Sequence, residues 1–217
     1  MPFLLFDLDG TLIDSTKDIA DSVRHIQKKF GFLISEDAQV AEFIGDGVGP
    51  LVARALPGID TKKLSEAVED LKQYYREHCL AHTAPYPGVS ETLMMLRGQA
   101  MAVVTNKPER ISKRIIDGLK WADYFPVIIG GDTLPEKKPS PAPVQKAITR
   151  LKNIFPEANG KSAIMIGDSS HDVLAGKAAG IKTIGVLSNI GNHAELRASQ
   201  PDHLIETFLE LKKLLAK

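Results

Sequence analysis

The chain has 217 residues, with 27 Lys+Arg against 27 Asp+Glu and a formal net charge of zero. A hydrophobic fraction of 43% and a charged fraction of 25% describe a globular chain with a sizeable core, and exclude collagen-like, disordered and membrane-spanning classes. The zero balance argues against partners held by bulk field, so no nucleic acid and no membrane surface is expected.

In chain order, Phe3-Leu4-Leu5-Phe6 is a short apolar run that breaks into Asp7-Leu8-Asp9-Gly10-Thr11. That pattern predicts a buried parallel strand opening into a polar loop. From about residue 15 to 82 the pattern becomes helical. Ile19, Val23, Ile26 and Phe30 fall at helical spacing, and Leu64, Val68, Leu71 and Tyr75 form a later stripe for which Asp60-Thr61 is a natural start. No strand is expected there. Beyond Pro85-Tyr86-Pro87-Gly88, helices are predicted over 91–97, 108–119, 141–152, 172–179 and 204–215. Strands are predicted over 100–104, 127–129, 163–166 and 183–186. Met94, Met95 and Leu96 read as core. Alternating strands and helices indicate a parallel α/β sheet, Rossmann-like, interrupted after its first strand by an inserted helical block. The expected division is a core of 1–15 and 85–217 and an insert of 16–84.

Ligands of open parallel sheets bind beyond the carboxyl ends of the strands. Those ends carry Asp7 and Asp9, then Thr105-Asn106-Lys107-Pro108, then Lys138 with Pro139, Ser140 and Pro141, then Asp168 and Asp172. Four carboxylates gathered on one edge would raise one another's pKa unless a cation intervened. Their donors are all oxygen, which favours Mg²⁺ over zinc or copper. Paired carboxylates can divide the work of nucleophile and proton shuttle. Gly10 permits a close backbone path, and Pro108 and Pro141 suit the first positions of helices whose amide ends favour an anion. Lys107 is read equally as a substrate contact or a surface lysine. His78 and His82 are read as surface positions, not a zinc pair.

Asp7-Leu8-Asp9-Gly10-Thr11-Leu12, the strand ending in Thr105, Lys138-Pro139 and Gly167-Asp168 with Asp172 resemble, in order, the four motifs of the haloacid dehalogenase superfamily. The insert resembles that superfamily's small helical cap. Ile44-Gly45-Asp46-Gly47 with Leu51, Arg54 and Leu56, and Thr105-Asn106-Lys107-Pro108, resemble its phosphoglycolate phosphatase branch. The resemblance implies a Mg²⁺-dependent phosphatase of a small phosphorylated metabolite, acting as a monomer or homodimer. In it Asp7 attacks phosphorus to form an aspartyl-phosphate, and Asp9 protonates the leaving group and then activates water. Thr105 and Lys138 hold the phosphoryl oxygens. The metal is held by Asp7, the Asp9 main-chain carbonyl and Asp168, with Asp172 in support. Gly10, Thr11 and Asn106 of the core, and Gly45, Gly47 and Arg54 of the cap, are the implied substrate contacts.

Two other outcomes stay open. A sugar phosphomutase would carry a basic residue soon after the Gly45 turn, where Val48 and Pro50 stand instead. A non-catalytic phosphoryl acceptor would not need the inserted cap. Leu187-Ser188-Asn189-Ile190-Gly191-Asn192 departs from the aromatic, Gly-rich text common in phosphoglycolate phosphatases at that place. Cys79 is the only cysteine, and the opening apolar run lacks the basic flank of a signal peptide, so a reducing, cytoplasmic location is expected.

Overall fold

The computed structural model describes residues 2–158, 162–187 and 192–215. Residues 188–191, most of the departing segment, lie outside the described residues. The chain folds into two compact units, Met1–Ile13 with Pro85–Lys217, and Asp14–Ala84.

The first unit is a six-stranded sheet built from β1 (Leu4–Phe6), β4 (Met101–Val104), β5 (Val127–Ile129), β6 (Ile164–Gly167), β7 (Lys182–Val186) and β8 (His203–Ile205). Two short strands, β2 (Ile13–Asp14) and β3 (Ala84–Pro85), pair separately. The large sheet has the order β5-β4-β1-β6-β7-β8, and every pairing in it is parallel. Its strands are nearly continuous apolar runs because helices cover both faces. Side chains alternate along each strand. Phe3 and Leu5 therefore join Ala102, Val104, Ile129 and Met165 in one buried cluster with Val144, Ala147 and Leu151, which lie on α7 (Ala142–Ile154). Phe6 points the other way and meets Phe125 edge-on, with ring centroids 5.9 Å apart. The chain runs outward from β1 through β4 to β5, then returns to β6 on the other side of β1. That reversal puts a topological switch point, the place where such sheets bind ligands, beside the carboxyl end of β1.

The remaining helices of this unit are α5 (Val89–Met95), α6 (Glu109–Gly118), α8 (Ser170–Ala178), α9 (His193–Ala198) and α10 (Glu210–Leu215). Two of them, α9 and α10, correct the sequence reading. The segment 204–215 is not one helix: β8 comes first, and a turn separates it from α10. In that turn the Glu206 and Thr207 amides donate to Glu210 Oε1 at 3.0 and 2.9 Å. Met94 and Met95 are not core. They are 63% and 45% exposed, because Val89, Thr92, Leu93 and Leu96 take the buried stripe of α5 and the methionines fall outside it. Pro108 and Pro141 are N-caps, one residue before the first helical position.

The second unit holds α1 (Thr16–Phe30), α2 (Asp37–Ala41), α3 (Val48–Ala55) and α4 (Thr61–His78). Ile19, Val23 and Ile26 of α1 are buried, as are Val52 of α3 and Leu71 and Tyr75 of α4. Asp60 caps α4 by accepting from the Lys62 amide at 2.8 Å. Because α4 ends at His78, His78 and His82 do not share a helix face. The His78 ring stacks on Tyr74. Among the described residues no helix is long and apolar enough to cross a membrane.

Candidate active site

The Asp7 amide donates to the Ile166 carbonyl at 2.9 Å. This carries the ladder between β1 and β6 one residue past Phe6 and fixes Asp7 at the strand end. Its Oδ1 is buried without a hydrogen-bond partner. Lys138 Nζ lies 2.9 Å from that oxygen, close enough for ion pairing without hydrogen-bond alignment. Carboxylate oxygens of Asp7, Asp168 and Asp172 lie within 4.8 Å of one another.

Each of the other two acids is held from behind. Thr11 Oγ1 donates to Asp168 Oδ1 at 2.6 Å. Asp172 sits in the first turn of α8 in a capping box, where its Oδ2 accepts from the Ser169 amide at 3.1 Å and the Ser169 hydroxyl at 2.7 Å. The other Asp172 oxygen accepts from Lys138 Nζ at 2.5 Å. Close approach requires glycine at position 10, where φ is +83° and a Cβ would sit 2.2 Å from an Asp168 oxygen.

Burial pushes the Asp7 carboxyl up to about 6, with Lys138 pulling it back and Asp172 adding to the rise. Burial first, then the Asp7 and Asp172 charges, raises Asp168 well above the ordinary carboxylate range. Lys138 is raised by the Asp172 and Asp7 carboxylates, which outweigh the opposing effect of its own burial. Three buried carboxylates thus face one ammonium. The closeness of the three carboxylates, their surplus negative charge and the all-oxygen donor set fit a hard divalent cation.

The segment after β4 supplies the rest. Thr105 is buried, and its Oγ1 accepts from the Lys107 amide at 3.2 Å, which leaves its own O–H free to donate elsewhere. Asn106 grips the Lys138 main chain at both ends, donating to its carbonyl and accepting from its amide, each at 3.1 Å. Asn106 and Thr11, expected as substrate contacts, spend these side-chain bonds on Lys138 and Asp168. Thr11 thereby meets the buried Asp168 carboxylate with a neutral donor, while Asn106 fixes the main chain that carries Lys138.

Asp9 does not join the three-carboxylate cluster through its side chain. Its two oxygens lie 2.8 and 2.9 Å from Lys107 Nζ. Lys107 is therefore no surface lysine, being 6% exposed. One clue to it was available: a cation adjoining Thr105 on an edge rich in acids needs little displacement to find a carboxylate. Ser169 was also missed; its position three before Asp172 is the capping-box spacing.

In the helical unit, Gly45 and Gly47 flank Asp46, and both glycines have positive φ, 124° and 90°. Arg54 reaches back from α3 to the Asp46 carboxylate, and donates to the Phe43 carbonyl at 3.1 Å. As it stands, Arg54 braces the loop.

Residues 4–186 match the family described as Haloacid dehalogenase-like hydrolase. A protein named Phosphoglycolate phosphatase from Aquifex aeolicus is 39% identical over 99% of this chain and 97% of its own length. One of the same name from Neisseria meningitidis is 36% identical over 95% of this chain and 90% of its own length. Among solved structures, a predicted phosphoglycolate phosphatase from Haemophilus somnus superposes with a TM-score of 0.88 at 29% identity, covering 99% of this chain and 98% of that one. A predicted phosphatase from Clostridium acetobutylicum gives a TM-score of 0.85 at 27% identity, covering 100% and 99%. With relatives this similar end to end, and with acids, lysine and threonine gathered where the sheet reverses, the chain belongs to the haloacid dehalogenase-like hydrolases.

Proposed function

We propose that the chain is a magnesium-dependent phosphatase of small phosphomonoesters, 2-phosphoglycolate foremost, working through an aspartyl-phosphate. The observation that carries this reading is the Asp7 carboxylate at the end of β1, 2.9 Å from one ammonium and within 4.8 Å of two further carboxylates. One ammonium cannot neutralise three carboxylates held this close, which is explicable where a cation arrives from outside. The relatives named phosphoglycolate phosphatase support the substrate class.

Asp7 attacks phosphorus, and the bond from phosphorus to the leaving oxygen breaks as the Asp7 oxygen–phosphorus bond forms. Asp9 enters this step protonated on one oxygen, with the other kept on Lys107, and gives that proton to the departing alkoxide. The Asp9 carboxylate then takes a proton from water, whose oxygen attacks phosphorus. The bond to Asp7 breaks, releasing inorganic phosphate and the free carboxylate. Lys138, fixed by Asp172, and the Thr105 hydroxyl hold the phosphoryl oxygens. Asp7, Asp168, Asp172 and the Asp9 main-chain carbonyl would hold Mg²⁺, which when bound neutralises charge and orients phosphoryl oxygens. Gly10 and Thr11 serve by setting Asp168. The helical unit is assigned to substrate selection and exclusion of water, as a cap, with Gly45, Gly47 and Arg54 its candidate contacts. A chain with a single cysteine, which can form no internal disulfide, suits a reducing compartment, hence the cytoplasm.

The test is phosphate release from p-nitrophenyl phosphate and 2-phosphoglycolate with and without Mg²⁺. Release that needs the metal and vanishes in Asp7→Asn is the expected result. No release, release undiminished in Asp7→Asn, or an aspartyl-phosphate that persists for hours would overturn the reading.

A further inference from the structure

We infer that Lys107 is a positioning residue that acts through Asp9, holding the proton-transferring carboxylate in place by a two-point ion pair. The inference rests on the phosphatase reading, because it gives Asp9 a proton to deliver.

The pair is nearly out of water, with the Lys107 side chain 4% and the Asp9 side chain 13% exposed. Lysine is almost never so buried unless paired. Desolvating two ions costs as much as their attraction returns, so a buried pair is a poor device for stability alone. This one is built for placement. Both Asp9 oxygens are within hydrogen-bond distance of one ammonium, which restricts rotation of the carboxylate. The lysine is itself pinned at its backbone on both sides. Its amide donates to Thr105 Oγ1 at 3.2 Å and its carbonyl accepts from the Gly131 amide at 2.8 Å. Gly131 must be glycine for that approach, since a Cβ there would meet the Asn106 carbonyl oxygen at 2.2 Å. Lys107 also sits one residue before the Pro108 cap of α6. The ammonium is thus referenced to the end of β4, the start of α6 and the turn after β5. Asp9, on the loop after β1, receives its position from all three.

The test is a double-mutant cycle read by single-turnover phosphoenzyme formation with Mg²⁺. Two substrates are used, an alkyl phosphomonoester, whose leaving group needs a proton, and p-nitrophenyl phosphate, whose leaving group does not. Positioned general acids contribute about 10²–10⁴-fold, so Lys107→Met is expected to slow the alkyl ester about 10²-fold and p-nitrophenyl phosphate less than about threefold. Lys107→Arg should recover part of the loss. On an Asp9→Asn background, Lys107→Met should cost nothing further, because the two residues act as a unit.

Equal slowing of both substrates, no slowing of either, or a full additional loss on the Asp9→Asn background would overturn the inference; the last result would make Lys107 a direct substrate contact. If Lys107→Met lacks the wild-type melting transition, Lys107→Gln carries the same cycle. A wild-type protein that forms no phosphoenzyme overturns the phosphatase reading and this inference with it.

Discussion

Asp168 stays beside two other carboxylates because a neutral donor holds it and a missing side chain makes room for it. The donor is the Thr11 hydroxyl, and the room is at Gly10, whose absent Cβ lets the loop after β1 touch the Asp168 carboxylate. Gly10→Ala removes the room and forces a residue with a Cβ into left-handed φ, which costs about 1–2 kcal/mol. Asp168 must then shift. Displacing groups that support metal ligands typically weakens binding 10–100-fold. A Mg²⁺ titration followed by calorimetry should therefore show at least a tenfold weaker Kd in Gly10→Ala, about the lower end of that range. A Kd within twofold of wild type would mean Asp168 does not need this contact. At this scale the acids were legible in the sequence, because an acid pair directly after an apolar strand has few structural reasons to exist. The destination of Lys107 was not legible. A four-carbon stem can point to water or inward, and only the fold brings Asp9 within its reach, 98 positions away.

Helix α1 shows how an element can hang on one amide. Gln27 is buried and bonds to the loop after α1 and to the end of α3. Its Nε2 donates to Ser35 Oγ at 2.9 Å and to the Ala55 carbonyl at 3.1 Å, and its Oε1 accepts from the Ser35 amide at 2.9 Å. Gln27→Ala leaves those groups buried without partners, at about 1–3 kcal/mol for each one left unsatisfied. Hydrogen exchange should show α1, α3 and the 31–36 loop losing protection by that amount, while the strands of the parallel sheet keep theirs. Unchanged protection in the helical unit would refute the argument. The elements themselves were readable wherever periodicity and burial agreed, as in β5, found at the expected residues, and in the 163–166 run, found one residue along as β6. They failed to be readable where two periods fit one text. Leu204, Phe208, Leu211 and Leu215 are spaced as a helix face, yet the first of them lies on an edge strand three residues long. An edge strand that short carries too little alternation to compete with a helical stripe. Only its parallel pairing with β7, Ile184 with His203 and Val186 with Ile205, fixes it as strand.

Across the whole molecule, the surplus of buried negative charge ties stability to both pH and metal. Asp7 titrates near 6 in the folded chain against an ordinary 3.8, and Asp168 is also raised, in both cases through burial first. A carboxyl whose folded pKa is raised binds its proton more tightly folded than unfolded. Its contribution is fully present below about pH 4 and is lost as pH rises through about 6. Asp21, Glu109 and Asp202 are shifted the opposite way, each by the hydrogen bonds it accepts. Their contributions are present above about pH 4 and disappear in more acid solution. Between about pH 5 and 7.5 the site acids therefore set the trend, and the metal-free protein should become more stable on mild acidification, by on the order of 1–3 kcal/mol. A divalent cation binds the ionised site, so it should stabilise most at the upper end of that window and flatten or reverse the slope. Melting curves across the window, with a chelator and with saturating Mg²⁺, decide the matter. The expected pattern is two lines that converge as pH falls. Parallel lines, or a metal-free protein most stable at about pH 7.5, would show that the Asp7, Asp168 and Asp172 carboxylates do not share one uncompensated charge.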